Sequence, residues 1–326
     1  MSRKKICKDV MIKLLNKYNV SVEKKINDIE NKMYINKFPI YIINLKKDII
    51  RRNYIRVIME KMNINYELVI VERIQEEDYQ SIKNRALKKI TKGMFGCFLS
   101  HMWCLQNAIK NDYSKFIIFE DDIIFHKNFH SLFEEIIEKN KDIDILRLGS
   151  CDFHFKENIK TLHDKIYIPV QSACGTHGIL FSKSFAKKIF DYKLQNIQEY
   201  DTDLTKIGEY YKIKHGICFP NLVCAELSTT NIDHNYSFES EEDEKLYYKY
   251  CFQNKFNFHD YHFIYLSILN DSKDCKDCKD CKDYKEYIYK VLLKYPKKIQ
   301  EKLKKRLLYN FFILSDIIKI TNNNND

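Results

Sequence analysis

Three consecutive carboxylates, Glu120-Asp121-Asp122, close the uncharged run Phe116-Ile117-Ile118-Phe119 and stand just before another, Ile123-Ile124-Phe125. Acids this close repel one another strongly unless a cation or solvent relieves them. A hard divalent ion such as Mg²⁺ or Mn²⁺ takes one or two carboxylates and fills its shell with water and phosphate oxygens. The cluster therefore reads as a means of holding a diphosphate through a metal; a solvated acidic turn is the competing reading. Asp233-His234, far along the chain, adds an imidazole of a kind that Mn²⁺ accepts, so His234 is a candidate late ligand.

These groups need a frame. Residues 40–43 are a short uncharged run after Pro39, of the kind found in buried parallel strands. Asp48 is placed to cap a helix whose apolar positions are Ile50, Tyr54, Val57, Ile58 and Met62, and a second strand follows at residues 66–71. Helical spacing over residues 98–110 precedes the strand that ends in the acidic cluster. Further strands are expected at residues 143–148, 178–181 and 216–219, with a helix over residues 183–192. Alternation of this kind predicts an α/β fold with a mostly parallel central sheet flanked by helices. Ligands of such sheets gather outside the carboxyl ends of the strands, where Glu120-Asp121-Asp122 lies. All seven glycines fall between residues 93 and 216, so the ligand-facing turns belong to that stretch.

The flanks read differently. Apolar residues from Met11 through Val20, Val22 and Ile26 to Met33 recur at roughly helical spacing, giving a helical N-terminal extension over residues 1–37. A catalytic domain is expected over residues 38–235, and a helical basic C-terminal region over residues 236–326. The latter contains three Lys-Asp-Cys repeats; Cys275, Cys278 and Cys281 have metal-ligand spacing, but expansion of a short coding unit explains them more simply. The net charge of +10 is concentrated at residues 285–306, which argues for a surface-docking tail and against a nucleic-acid groove. An amphipathic segment with lysine borders suits peripheral contact with an anionic membrane, and packing back on the domain is the equal alternative. Neither a membrane span nor a signal peptide is read from the sequence, so a cytoplasmic protein with reduced thiols is expected.

The chain also resembles glycosyltransferase family 25, which includes bacterial lipooligosaccharide galactosyltransferases and animal collagen galactosyltransferases. An ordered series of segments carries the resemblance. They are Ile42-Ile43-Asn44-Leu45 with Asp48 and Arg51-Arg52; Gly96-Cys97-Phe98-Leu99-Ser100-His101; residues 116–122; Gly175-Thr176 leading to Leu180-Phe181-Ser182-Lys183; residues 201–204; and Phe219-Pro220-Asn221-Leu222. The resemblance implies a GT-A type nucleotide-sugar-binding fold. In it Glu120, Asp121 and Asp122 hold Mn²⁺ or Mg²⁺ against the diphosphate of a UDP-sugar. Asn44, Arg51, Ser100, His101, Glu120, Gly175 and Thr176 fall in the blocks implied to bind that donor. For Asp48 helix capping, and for His101 core packing, are the structural alternatives.

An inverting transfer, as the family implies, needs a carboxylate to deprotonate the acceptor hydroxyl. Asp203 matches the family's position most closely and Asp201 is the reserve, with a helix N-cap as the alternative for each. The implied partners are a UDP-hexose, galactose or glucose, and an acceptor hydroxyl on a glycan or a collagen-like hydroxylysine. A non-catalytic module that binds nucleotide sugars or glycans on the same fold is the alternative of another class.

Overall fold

The computed structural model describes residues 3–26, 33–83, 90–150, 160–163, 166–168, 175–197, 200–201, 204–218 and 220–225. Asp203, His234, the Cys275-Cys278-Cys281 repeat and the basic C-terminal region lie outside the described residues.

Helix α1 (Arg3–Lys17) leads into strand β1 (Val20–Lys25), and a 3₁₀ turn (Tyr34–Lys37) precedes β2 (Ile40–Leu45), α2 (Ile49–Lys61) and β3 (Tyr66–Val71). Helices α3 (Glu76–Lys83) and α4 (Lys92–Lys110) come next, then β4 (Lys115–Glu120), β5 (Ile123–Phe125), α5 (Phe129–Lys139) and β6 (Ile145–Arg147). The chain continues through β7 (Lys160–His163), β8 (Ile166–Ile168), β9 (Gly178–Ser182), α6 (Lys183–Gln195), α7 (Leu204–Tyr210), β10 (His215–Cys218) and β11 (Val223–Ala225). None of the described helices is long and apolar enough to cross a membrane.

The central sheet has the order β1-β3-β2-β4-β9-β6-β10-β8-β7. Strands β2, β3, β4, β6, β7 and β10 run one way, while β1, β8 and β9 run the other. Most strands thus share one direction, with helices on both faces, in agreement with the GT-A type of α/β fold that the sequence leads one to expect. Alternation along each strand divides the core into two. Ile40, Ile42, Leu68, Ile70, Ile117 and Phe119 pack with Ile55, Ile58 and Met59 of α2 and Phe129 and Phe133 of α5. Tyr41, Val69, Phe116, Ile118 and Phe181 face α1, α3, α4, α6 and α7 instead.

Local chemistry sets the helix starts. Asp48 caps α2 by accepting from the Arg51 N–H at 3.2 Å. Thr91 caps α4 through the Met94 N–H, which starts that helix six residues before the apolar spacing alone would place it. The main difference from the sequence reading is at the N-terminus. Val20 and Val22, which fit a helical spacing, alternate instead along β1, paired antiparallel with β3. β-branched residues favour the strand where a sheet edge is open to them, and Glu23, Lys24 and Lys25 give that edge the charge typical of edge strands.

β5 and β11 form a separate two-stranded ribbon, Val223 opposite Phe125 and Ala225 opposite Ile123, which fixes the chain directly after the acidic cluster. Gly149 lets this ribbon dock. A Cβ there would lie 1.9 Å from the Val223 carbonyl oxygen and 2.9 Å from His177 Nε2. Because backbone cannot yield as a flexible side-chain end can, Gly149→Ala is expected to cost about 1–3 kcal/mol or more. Denaturant unfolding should show a lowered midpoint with an unchanged slope.

Candidate functional site

The strand period of two decides how the three acids are used. Glu120, the last residue of β4, follows Phe116 and Ile118 on the face toward α4. Asp121 follows Ile117 and Phe119 on the face toward α2. The neighbouring carboxylates are therefore drawn into two different sets of contacts.

Asp121, 5% exposed, accepts from Asn44 Nδ2 at 2.7 Å through one oxygen and from Arg51 Nη1 at 3.0 Å through the other. The same Arg51 nitrogen lies 3.1 Å from Asp122 Oδ2, and Arg51 Nε is 3.8 Å from Asp48 Oδ2. Arg52 Nε donates to Asn44 Oδ1 at 2.8 Å and so sets the orientation of the amide. Burial pushes the Asp121 carboxyl up to about 6, with Arg51 and Asn44 pulling it down. One guanidinium serving three carboxylates leaves this corner net negative when all are ionised. A cation is the natural complement.

On the α4 side, Glu120 Oε1 lies 3.1 Å from His101 Nε2 and accepts from Thr176 Oγ1 at 2.5 Å; Cys97 Sγ is 4.0 Å away. Oε2 has no hydrogen-bond partner among the described residues, and the side chain is 26% exposed. Burial raises the Glu120 carboxyl, but the bonds and charge of His101, with Thr176, outweigh it and hold the group at about 2. The His101 ring is fully buried and stacks on Tyr200 with centroids 4.5 Å apart. Burial pulls His177 down to about 4, so it stays a neutral imidazole, while its carbonyl accepts from the Glu120 N–H at 3.1 Å.

A third set of contacts ties Asp201 to this network. Asp201 Oδ2 accepts from the Gly175 N–H at 2.9 Å, and Arg147 donates to the backbone oxygens of Asp201 at 3.0 Å and Gly175 at 3.4 Å. Gly175 has φ 94°, a left-handed conformation that favours glycine, which turns its N–H toward Asp201. The dipeptide Gly175-Thr176 thus bridges Asp201 to Glu120.

The structure brings together Asn44, Arg51, His101, Glu120, Asp121, Asp122, Gly175, Thr176 and Asp201. It does not bring Ser100 with them, for its hydroxyl donates to Gly96 O at 2.8 Å and meets the Tyr18 hydroxyl at 3.1 Å, behind α4. Asp203 and His234 are outside the described residues. Sequence reasoning missed Arg147, Cys97, His177 and Tyr200. Arg147 had left a trace, a cation inside the apolar run Ile145-Leu146-Arg147-Leu148. So had Cys97, four residues before His101 and thus on the same helical face.

A model of glycosyltransferase family 25, described as an LPS biosynthesis protein, matches residues 37–205, just over half of the 326 residues. A lipooligosaccharide biosynthesis protein, lic2B, from Haemophilus influenzae is 28% identical over 170 residues, covering 48% of this chain and 62% of that protein. Mouse procollagen galactosyltransferase 2 is 25% identical over 169 residues, covering 46% and 27%. A human protein named as the inactive family member 3 is 35% identical over 51 residues, covering 16% and 9%. The chain spans less than two thirds of the length of each.

Proposed function

The chain belongs to glycosyltransferase family 25, and from that premise we propose that it transfers a hexose from UDP-galactose or UDP-glucose to an acceptor hydroxyl, with a divalent cation and inversion at the anomeric carbon. The observation that carries the reading is the bridge Asp201–Gly175-Thr176–Glu120. It couples a carboxylate fit to take a proton to the acids fit for a nucleotide diphosphate.

The donor set suits a hard ion. Glu120 and Asp122, two positions apart and both partly exposed, would hold Mn²⁺ or Mg²⁺. Asp121, with both oxygens engaged, anchors the turn from the opposite face. When bound, the cation neutralises charge that develops on the departing UDP. Arg51 and Asn44 keep the turn in place; His101 and Thr176 fix Glu120 through Oε1 and leave Oε2 for the cation. Asp201, whose Oδ1 has no hydrogen-bond partner among the described residues, accepts the acceptor hydroxyl proton. The acceptor oxygen then bonds to the anomeric carbon as the bond to UDP breaks and its electron pair leaves with the diphosphate. Asp203 stays the alternative base. The relatives' names supply two acceptor classes, lipooligosaccharide and procollagen, and the basic segment at residues 285–306 is assigned to docking on an anionic membrane surface.

UDP release should be measured with UDP-galactose, UDP-glucose and their N-acetyl forms, with and without Mn²⁺, on oligosaccharide and hydroxylysine acceptors. Turnover from one UDP-hexose only with Mn²⁺ is the expected result, and Asp201→Asn should lower kcat by about 10²–10⁴-fold with little change in KM. Calorimetric UDP binding with no turnover on any acceptor would instead place the chain with its inactive relative as a binding module.

A further inference from the structure

Glu120 is where two side chains converge that the transfer reading does not use as metal ligands. Cys97 and His101 stand four residues apart on α4 and so project from one face. One ligand atom from each of Cys97, His101 and Glu120 lies within 4.8 Å of the other two. Thiolate, imidazole and carboxylate are the ligands of tetrahedral Zn²⁺ and Co²⁺ sites, whereas Mg²⁺ and Mn²⁺ prefer oxygen. The site is prearranged. The stack on Tyr200 fixes the fully buried imidazole, and the partly exposed Glu120 gives access from solvent.

We propose that Cys97, His101 and Glu120 form a second cation site, selective for soft divalent ions of the Zn²⁺ class, beside the hard-cation position. Binding exchanges the His101–Glu120 hydrogen bond for metal bonds, with the imidazole proton shifted from Nε2 to Nδ1, and sends the Cys97 thiol proton to solvent. Burial holds that thiol well above its ordinary range, so the metal-free site carries S–H, and the ion must be a strong enough acid to displace the proton. Because Glu120 is shared, a soft ion draws it away from the hard one, making Zn²⁺ an inhibitor of transfer. That last consequence rests on the role given to Glu120 above; the binding itself does not.

The test uses the full chain with Cys275, Cys278 and Cys281 replaced by serine, titrated with Co²⁺ in the absence of any donor sugar. A near-ultraviolet thiolate-to-cobalt absorption band is expected. Adding Cys97→Ser should remove it and weaken Co²⁺ binding by at least about tenfold, and His101→Gln should weaken binding similarly. Cys104→Ser, on the same helix but buried away from the site, should keep the band. A band that survives in Cys97→Ser, or no band in the parent, overturns the proposal. Circular dichroism establishes that each variant is folded, and the His101 variant decides if the Cys97 variant is not. Zn²⁺ should then inhibit Mn²⁺-supported turnover at concentrations at least about tenfold lower in the parent than in Cys97→Ser. Loss of turnover under all conditions with the cobalt band intact would sink the transferase reading and leave the metal site standing.

Discussion

Asp122→Ala is expected to lower kcat for the proposed Mn²⁺-dependent hexose transfer by at least about 10³-fold, equivalent to about 4 kcal/mol of transition-state stabilisation. Folding should survive. Asp122 is one of three carboxylates around Arg51, and its removal leaves the guanidinium paired with Asp121 at 3.0 Å and near Asp48 at 3.8 Å. Asp122 is also partly exposed, with a side chain 15% accessible, and the buried Arg51 keeps its bond to Asp121. Thermal unfolding together with a Mn²⁺ titration of initial rates separates the two effects. A kcat within threefold of the parent at saturating Mn²⁺ would remove Asp122 from the metal position.

Arg51→Met acts on the fold first. Asp121 would stay buried and lose its cation, and breaking a buried pair from one side costs about 3–5 kcal/mol. For a domain of this size that lowers the thermal midpoint by about 10 °C. The loss should depend on pH in a direction that can be worked out. The Asp121 carboxyl in the folded chain is already raised to about 6, above its ordinary value of 3.8, so the folded state holds the proton more tightly than the unfolded chain. Its ionisation therefore works against folding at pH values above about 6, and the penalty fades as pH falls through 6 toward 4. Without Arg51 the carboxyl rises further. The deficit should consequently be large at pH 8 and smaller near pH 5, where Asp121 is protonated. Arg51→Lys keeps the charge but not the planar fork, and should fall between parent and Met variant. A deficit of equal size at pH 5 and pH 8 would show that packing, not the buried charge, is what Arg51 supplies.

The strands that carry the site were legible because their sequence is redundant. An uncharged run such as residues 116–119, flanked by turn residues, has few other ways to bury itself, and β4 forms there. The acidic cluster was legible for the opposite reason, since three adjacent acids at a strand end are costly unless used. What the sequence did not disclose was the division of those acids between the two faces. Asn44, Arg51 and Asp121 are separated by up to 77 positions, and only the pairing of β2 with β4 brings Asn44 beside Asp121. Arg147 was missed because its contacts, the carbonyls of Gly175 and Asp201, belong to backbone and leave no mark on residue type. Val20 and Val22 fit both a helix and a strand, and the open edge of β3 decided between them. Ser100 sits in the same segment as His101, yet one step along a helix turns a side chain by about 100°. That is enough to direct it to Tyr18 and away from the acids.

The partition at the end of β4 has an evolutionary reading. With Glu120 answering to α4 and the 175–177 turn, and Asp121 answering to α2 and β2, the same tripeptide is exposed to two separately mutable environments. Drift in one helix can shift Glu120 while the other keeps the loop braced, so the edge that the proposed function gives to the cation can change without loosening the turn that holds it.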